Sequence, residues 1–334
     1  MNFPAPRSRL RRADLEVNLA RAHPDDRFHP PTSDDPYWTE TCWFTFAVPD
    51  RKLSAQLYPF LRPNQGVTSC GAFVWDDGAS DLWNCLYAKN LWHVPLPTDA
   101  DLADLELSSG LRYRCLEPLS RYALHYRDAD DAALEVDLEF NAICAPNYLA
   151  ESHLDQPGRY TGTIRLRGEE IAVDAYGFRD RSWGVRAQIG ATLSNSGAPR
   201  GGYSYATASE RDAFHAISMA FQDDIAVPIH GYILRDGEYA KLAPGKGRRD
   251  VLERAGGDAP TRVRLQLEDE LGRSLEAEGE CVNKLGVHLN PNLFTWNCLT
   301  RWRWDGGEGW GEDHDNWSAS AATRFFRALR AGEV

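Results

Sequence analysis

The residues best equipped for chemistry lie in the run YGFRDRSWGVR, residues 176–186. One carboxylate, Asp180, stands there among Arg179, Arg181 and Arg186, with Tyr176, Phe178 and Trp183 as large aromatic neighbours. Successive side chains on a strand point to opposite faces, so Phe178, Asp180 and Ser182 share one face and Arg179, Arg181 and Trp183 the other. The carboxylate need not be neutralised by the arginines beside it. Facing an apolar interior, its charged form is disfavoured and its pKa rises, which suits a proton donor near neutral pH. A structural ion pair is the competing reading of the same cluster.

Three further groups can move protons. His153, in ESHLDQPGRY, precedes the hairpin that leads into this run, and an imidazole titrating near about 6.5 needs little tuning to act at neutral pH. Glu40 shares a strand face with Trp38, Cys42 and Phe44 in YWTETCWFTF and is a second acid or a rim ion pair. Tyr176 adds a phenol. The candidate catalytic residues are thus Asp180, His153, Tyr176 and Glu40; Trp183, Phe178, Arg181, Trp38 and Trp75 are candidate walls of a substrate pocket. Such a set suits cofactor-free proton chemistry on an apolar substrate, and aromatic faces would favour a developing carbocation.

Elements to position these residues are written as short alternating runs punctuated by Gly, Pro, Asp and Asn: KLSAQLYPFLRPNQG, CGAFVWDDGASDLWNCLY, GLRYRCLEPLSRYALHYRD and AALEVDLEFNAICAP. Ile164 and Leu166 pair with Ile171 and Val173 across Gly168-Glu169-Glu170, a hairpin whose second strand enters the central run. WDDGASDLW reads as a tight hairpin, and Asp236-Gly237 and Leu271-Gly272 as turns. Beyond Arg186 the texture repeats, so an all-β protein is expected, sandwich or barrel. Only SAATRFFRALRAG has helical spacing, with Ala322, Phe325, Phe326 and Leu329 on one face to dock across a barrel mouth or domain interface. The expected division is an arm over 1–27, including a helical turn or two around Asp14–Ala22, then domains over 28–186 and 187–334. One large barrel is the alternative.

Composition narrows the partners. With 37 basic and 49 acidic residues the net charge is −12, and RSRLRR at 7–12 is the only dense basic run, so nucleic acid and anionic membranes are disfavoured. That run lacks a following apolar segment, and no stretch nears the roughly 18 apolar residues that span a bilayer, so a soluble cytoplasmic protein without membrane insertion is expected. The seven cysteines are scattered with no CxxC pair, as reduced apolar residues are. Phosphate-binding glycine loops, HExxH and GxSxG are absent, which argues against nucleotide cofactors, zinc-protease and nucleophile-elbow chemistry. GWGEDHDNW, residues 309–317, offers Glu312, Asp313, His314 and Asp315 as metal donors but reads more readily as a solvated turn. No metal and no cofactor are expected. Eleven tryptophans build a barrel core, an apolar pocket or stacking platforms for sugars.

HLDQPGRYTGTIRLRGEEIAVDAYGFRDRSWGVR, residues 153–186, resembles the segment of the hydroxyneurosporene synthase (carotenoid 1,2-hydratase) and AttH-like superfamily that runs through a histidine, a hairpin and an aromatic-x-Asp-Arg/His-x-Trp motif. Here that motif is Phe178, Asp180, Arg181 and Trp183. DDRFHPPTSDDPYWTETCWFTF and RWRWDGGEGWGE resemble N- and C-terminal domains attached to the same superfamily, so the likeness touches roughly residues 25–313. It implies two lipocalin-like β-barrels and a link to hydration of carotenoids and to cyclisation or cycloaddition of terpenoid and polyketide substrates; with the residues above, the leading expectation is an enzyme that hydrates, dehydrates, isomerises or cyclises an isoprenoid, terpenoid or polycyclic molecule. Arg181 stands where relatives often have His, which removes one candidate base and leaves Asp180 as the acid. A non-catalytic carrier of an apolar ligand and a carbohydrate-active β-protein are the rival functions; the latter needs two carboxylates flanking a groove.

Overall fold

The computed structural model describes residues 22–186, 193, 196–221, 225–256, 258–305 and 307–333. The expected helical turn near Asp14 lies almost wholly outside them. Among the described residues every pair of strands is antiparallel. The first sheet holds β1 (Trp38–Val48), β2 (Leu53–Arg62), β3 (Val67–Trp75), β4 (Tyr87–Pro95), β5 (Asp104–Glu106), β6 (Leu111–Glu117), β7 (Arg121–Arg127), β8 (Leu134–Ala142), β9 (Asn147–Leu149), β10 (His153–Leu166) and β11 (Glu169–Val185). Its order is β4-β3-β2-β1-β11-β10-β8-β7-β6-β5, with β9 on β10. The second holds β12 (Arg200–Ser209), β13 (Asp212–Ala220), β14 (Val227–Arg235), β15 (Glu238–Ala255), β16 (Ala259–Asp269), β17 (Ser274–Cys281), β18 (Leu285–Asn290), β19 (Leu293–Trp304) and β20 (Gly307–Ser318).

Pairing of β17 with both β16 and β19 closes eight strands of the second sheet into a barrel, with β18 outside the ring. The first sheet curls into a half-barrel and stays open at β4 and β5. One short helix, α1 (Ala319–Ala331), follows β20. Ser318 caps it by accepting a bond from the Ala321 amide, Gly332 ends it in the left-handed region, and Phe325 and Phe326 lie on Trp317.

Burial patterns show how the two sheets meet. Strands β6, β7 and β8 alternate buried and exposed, as a sheet with one wet face must, whereas β1 is buried on both faces for ten residues. One face of β1, with Cys42, Phe44 and Phe46, joins the half-barrel core. The other, with Thr41, Trp43 and Thr45, meets the barrel wall: Trp43 and Phe178 cluster with Tyr203, Tyr205, Ile217 and Tyr232. A second apolar patch, Phe73, Trp75, Leu285 and Val287, fixes the far end of this interface. Polar residues in so buried a strand must find partners, and Thr45 donates to Glu312 Oε1 at 2.6 Å across the interface.

Two sequence expectations fail locally. WDDGASDLW is no tight hairpin: residues 76–86 form a longer loop because Ala79, Leu82 and Cys85 turn inward onto Phe73 and Trp75. GWGEDHDNW is a buried strand of the barrel, not a solvated turn, because its glycines admit close neighbours; a Cβ at Gly311 would meet the Tyr205 carbonyl oxygen at 1.8 Å.

Gly231 on β14 matters for the site described next. Its φ of +141° and a Cβ position 2.0 Å from the His215 carbonyl oxygen exclude any side chain, and the neighbouring register shift at Ile217/Ser218 is a β-bulge. Gly231→Ala is expected to lower stability by about 2 kcal/mol or more, read as a drop in Tm. A Tm equal to the parent's would mean that β13 and β14 can separate without cost.

Candidate active site

Between the sheets lies a nest of polar side chains contributed by both. From the first sheet, β10 supplies His153 and Asp155, and β11 supplies Asp180 and Ser182; Asp155 stands opposite Asp180 in register, and His153 opposite Ser182. From the barrel, the outward faces of β12, β13 and β14 supply Tyr203, His215, His230 and Tyr232, while Phe214, Ala216 and Ile233 between them point into the barrel core. This follows from the period of two: FHAI and HGYI each send every second residue to the shared face.

Asp155 is the centre. Fully buried, it takes a bond on Oδ1 from the Tyr203 hydroxyl, while its Oδ2 lies 2.9 Å from His153 Nε2, 3.1 Å from His230 Nε2 and 3.7 Å from His215 Nδ1. Burial alone would raise this carboxyl, but the histidines, His153 foremost, hold it well below the usual carboxylate range. His153 Nδ1 pairs with Ser182 Oγ at 3.0 Å, and Ser182 Oγ accepts from Thr41 at 3.2 Å, which fixes the ring. Burial works against the His153 charge, but the adjacent Asp155 carboxylate outweighs it and raises the imidazole above its ordinary value. Asn147 Nδ2 lies 3.1 Å from His230 Nε2.

Asp180 differs from Asp155. It is partly exposed as a residue, yet its Oδ1 is buried and has no hydrogen-bond partner. Burial pushes its carboxyl up to about 6 against the pull of His153, and the Asp155 carboxylate adds to the rise. His215 has a hydrogen-bond partner on neither ring nitrogen, and burial pushes its imidazole down to about 3. Two carboxyls whose surroundings drive them apart, one held ionised and one held near neutrality, are the arrangement from which acid and base roles are read. Asp155, His215 and His230 each bring one metal-competent atom within 4.8 Å of the others, as do His153, Asp155 and Asp180.

The structure thus brings Asp180 and His153 together, with Phe178 beside them, and sets the remaining sequence candidates elsewhere. Glu40 lies on the opposite face of β1, buried, 2.7 Å from Arg181 Nη2, and it accepts the His29 amide at 2.6 Å. Arg181 also donates to the Asp25 and Arg27 carbonyls, so Glu40 and Arg181 anchor residues 25–29 and do not face the nest. Trp183 stacks on His29 at 3.9 Å, on the side away from Asp180. Trp38 is buried on that same face of β1. Tyr176 lines a surface groove with Pro49, Thr207 and Trp310. Trp75 is wholly buried and donates to Asn283 at 3.0 Å. Of the proposed pocket walls only Phe178 borders the nest, stacked on Tyr205 at 4.5 Å and 5.0 Å from His215.

The four donors of residues 312–315 are split by strand alternation. Glu312 Oε2 meets His314 Nε2 at 2.8 Å on the outer face, while Asp313 and Asp315 pair with Arg249 on the inner one. They cannot share an ion. An aromatic cleft of about 20 Å³, lined by Tyr58, Phe60, Phe73, Trp92 and Leu289, opens on the same interface, and Tyr58 joins the Trp43–Phe178–Tyr203 cluster.

No protein of curated function matches the sequence. Among solved structures the fold is similar to that of an AttH-like protein from Nitrosomonas europaea, with a TM-score of 0.56 at 15% identity over 85% of this chain and 94% of that one. It is also similar to kievitone hydratase from Nectria haematococca, with a TM-score of 0.54 at 11% identity over 86% of this chain and 90% of that one. Identities this low speak to the fold alone, which agrees with the AttH-like likeness of residues 153–186. One family model, the domain of unknown function DUF7064, spans residues 22–318, and the chain belongs to that family.

Proposed function

We propose that this protein is an acid–base enzyme that adds water to, removes water from, or shifts a carbon–carbon double bond in a hydrophobic small molecule, at the nest between its two sheets. The observation that carries this reading is Asp180: a carboxyl with one buried, unpartnered oxygen, whose donor atom lies within 4.8 Å of those of His153 and Asp155. A polar atom left without a partner at such a place is costly for folding alone and suits a group that meets a substrate. In hydration, protonated Asp180 gives its proton to one alkene carbon while neutral His153, held by Asp155 at Nε2, takes one from the attacking water at Nδ1 by way of the Ser182 hydroxyl. Dehydration runs the same transfers backwards. Asp155 orients His153 and supports its charged form. Tyr203, Phe178 and the Tyr58 cleft supply the aromatic, water-poor surroundings that a developing cation on carbon needs. Membership of the fold shared with kievitone hydratase supports the hydratase form of the reaction over isomerisation or cyclisation. An isoprenoid or polycyclic substrate would stack on the aromatic side chains of this interface, whose cleft of about 20 Å³ must widen to admit it, and a cytoplasmic setting suits seven free cysteines.

The test is isotopic. The protein is incubated in H₂¹⁸O and, separately, in ²H₂O with isoprenoid alkenes, prenylated phenols and their hydrates, and products are read by mass spectrometry. One ¹⁸O and one non-exchangeable deuterium per product are expected. If none of the compounds turns over while protein isolated from its own host retains an apolar molecule unchanged, the barrel is a carrier and the enzymatic reading falls.

A further inference from the structure

We propose that Asp155, His215 and His230 form a binding site for one divalent first-row transition metal ion, of the two-histidine, one-carboxylate kind that leaves positions open for water. The three come from β10, β13 and β14, so both sheets contribute. All three are buried, at 0%, 0% and 7% exposure. Asp155 Oδ2 lies 3.1 Å from His230 Nε2 and 3.7 Å from His215 Nδ1, and the three donor atoms fall within 4.8 Å of one another. Ligands about 2.0–2.1 Å from a shared metal sit roughly 3 to 3.4 Å apart, and the two carboxylate–imidazole distances already approach that spacing. Imidazole and carboxylate are the donor mixture that suits zinc, iron and manganese, not calcium or a thiolate-seeking ion.

Two features point to a ligand beyond the mere proximity of acid and histidine. The His215 ring is wholly buried and neither nitrogen has a hydrogen-bond partner, Asp155 Oδ2 standing 3.7 Å off Nδ1, an expensive arrangement unless something else occupies it. Outer contacts are also in place. The Tyr203 hydroxyl holds Asp155 by Oδ1, which leaves Oδ2 as the oxygen facing the histidines, and outer bonds of this kind fix ligand orientation. A metal would displace Asn147 Nδ2 from His230 Nε2, together with the direct His230–Asp155 contact. His153 keeps its own bond to Asp155 and stands with Asp180 next to the open positions, where a bound water would be presented to both. His215 and His230 are separated in sequence from Asp155 by intervening strands, so no spacing motif announces the trio, and the expectation of a metal-free protein had nothing to weigh against it.

Binding is tested without a substrate, so its outcome is independent of the acid–base reading. The full chain is stripped with a chelator, dialysed, and titrated with Zn²⁺ by calorimetry and with Co²⁺ by visible absorption. One ion per chain is expected, with a cobalt spectrum of nitrogen and oxygen ligation and a raised Tm on Zn²⁺ addition. His215→Ala and His230→Gln should each weaken binding by at least about a hundredfold, more than the loss of an outer-shell partner. His314→Gln, at a histidine outside the trio, should leave it unchanged. Should His215→Ala fail to fold, the His230→Gln result decides. Absence of saturable Zn²⁺ binding by the parent protein, or equal binding by the trio variants, overturns the proposal.

Discussion

Asp180→Asn is expected to lower kcat by about 10²- to 10⁴-fold while leaving folding and substrate affinity close to the parent's. Asn keeps the shape of Asp and most of its bonding capacity, yet has no proton to give at the pH of the reaction. The unpartnered Oδ1 means that little hydrogen bonding is lost by the exchange. A structural ion pair would behave in the opposite way: broken, it would lower Tm and spare the rate of the surviving folded protein. Measuring kcat beside thermal unfolding separates the two, and a normal rate with a markedly lower Tm would remove Asp180 from the mechanism. His153→Gln should cost less, because water can stand in for its proton transfer. A larger loss at His153 than at Asp180 would exchange their roles.

The faces of β11 were legible in sequence because a period of two is all they require: Phe178, Asp180 and Ser182 do share the side toward the barrel, and Arg179 and Arg181 the other. The face of Glu40 was legible for the same reason, but its partner was not. Arg181 reaches Glu40 through the pairing of β1 with β11, strands far apart in the chain, and a single sequence carries no trace of that register. The same limit hid most of the nest. Asp155 follows His153 by two residues and so had to share its face, a signal present in HLD; His230-x-Tyr232 in β14 repeats it. Nothing in either segment says that the two faces meet, because that contact is set by how a half-barrel and a barrel stack. Residues 312–315 show the converse: four donors adjacent in sequence look like one site, and strand geometry divides them.

Arg249→Met is expected to destabilise the protein by about 3–5 kcal/mol and to lower its Tm by on the order of 10 °C, without entering the proposed chemistry directly. Arg249 lies inside the barrel, 6% exposed, and Gly202 makes room for it, since a Cβ there would sit 2.3 Å from Arg249 Cδ. Its Nε donates to Asp313 Oδ1 at 3.0 Å, its Nη2 to Asp313 Oδ2, and its Nη1 to Asp315 Oδ1 at 3.4 Å. Ser204 adds a bond to Asp313 at 2.6 Å, and Arg254 and Trp317 each hold Asp315 Oδ2 at 2.8 Å. Removing the guanidinium leaves Asp313 charged, buried and served by one hydroxyl, whereas Asp315 keeps Arg254. The cost therefore comes mainly from the stranded carboxylate, not from lost attraction, and the double change Arg249→Met with Asp313→Leu should recover much of it. Urea unfolding of the two variants decides the matter. A single variant within about 1 kcal/mol of the parent would mean that water reaches the interior and solvates Asp313, and the closed barrel would then be less dry at this end than its packing implies.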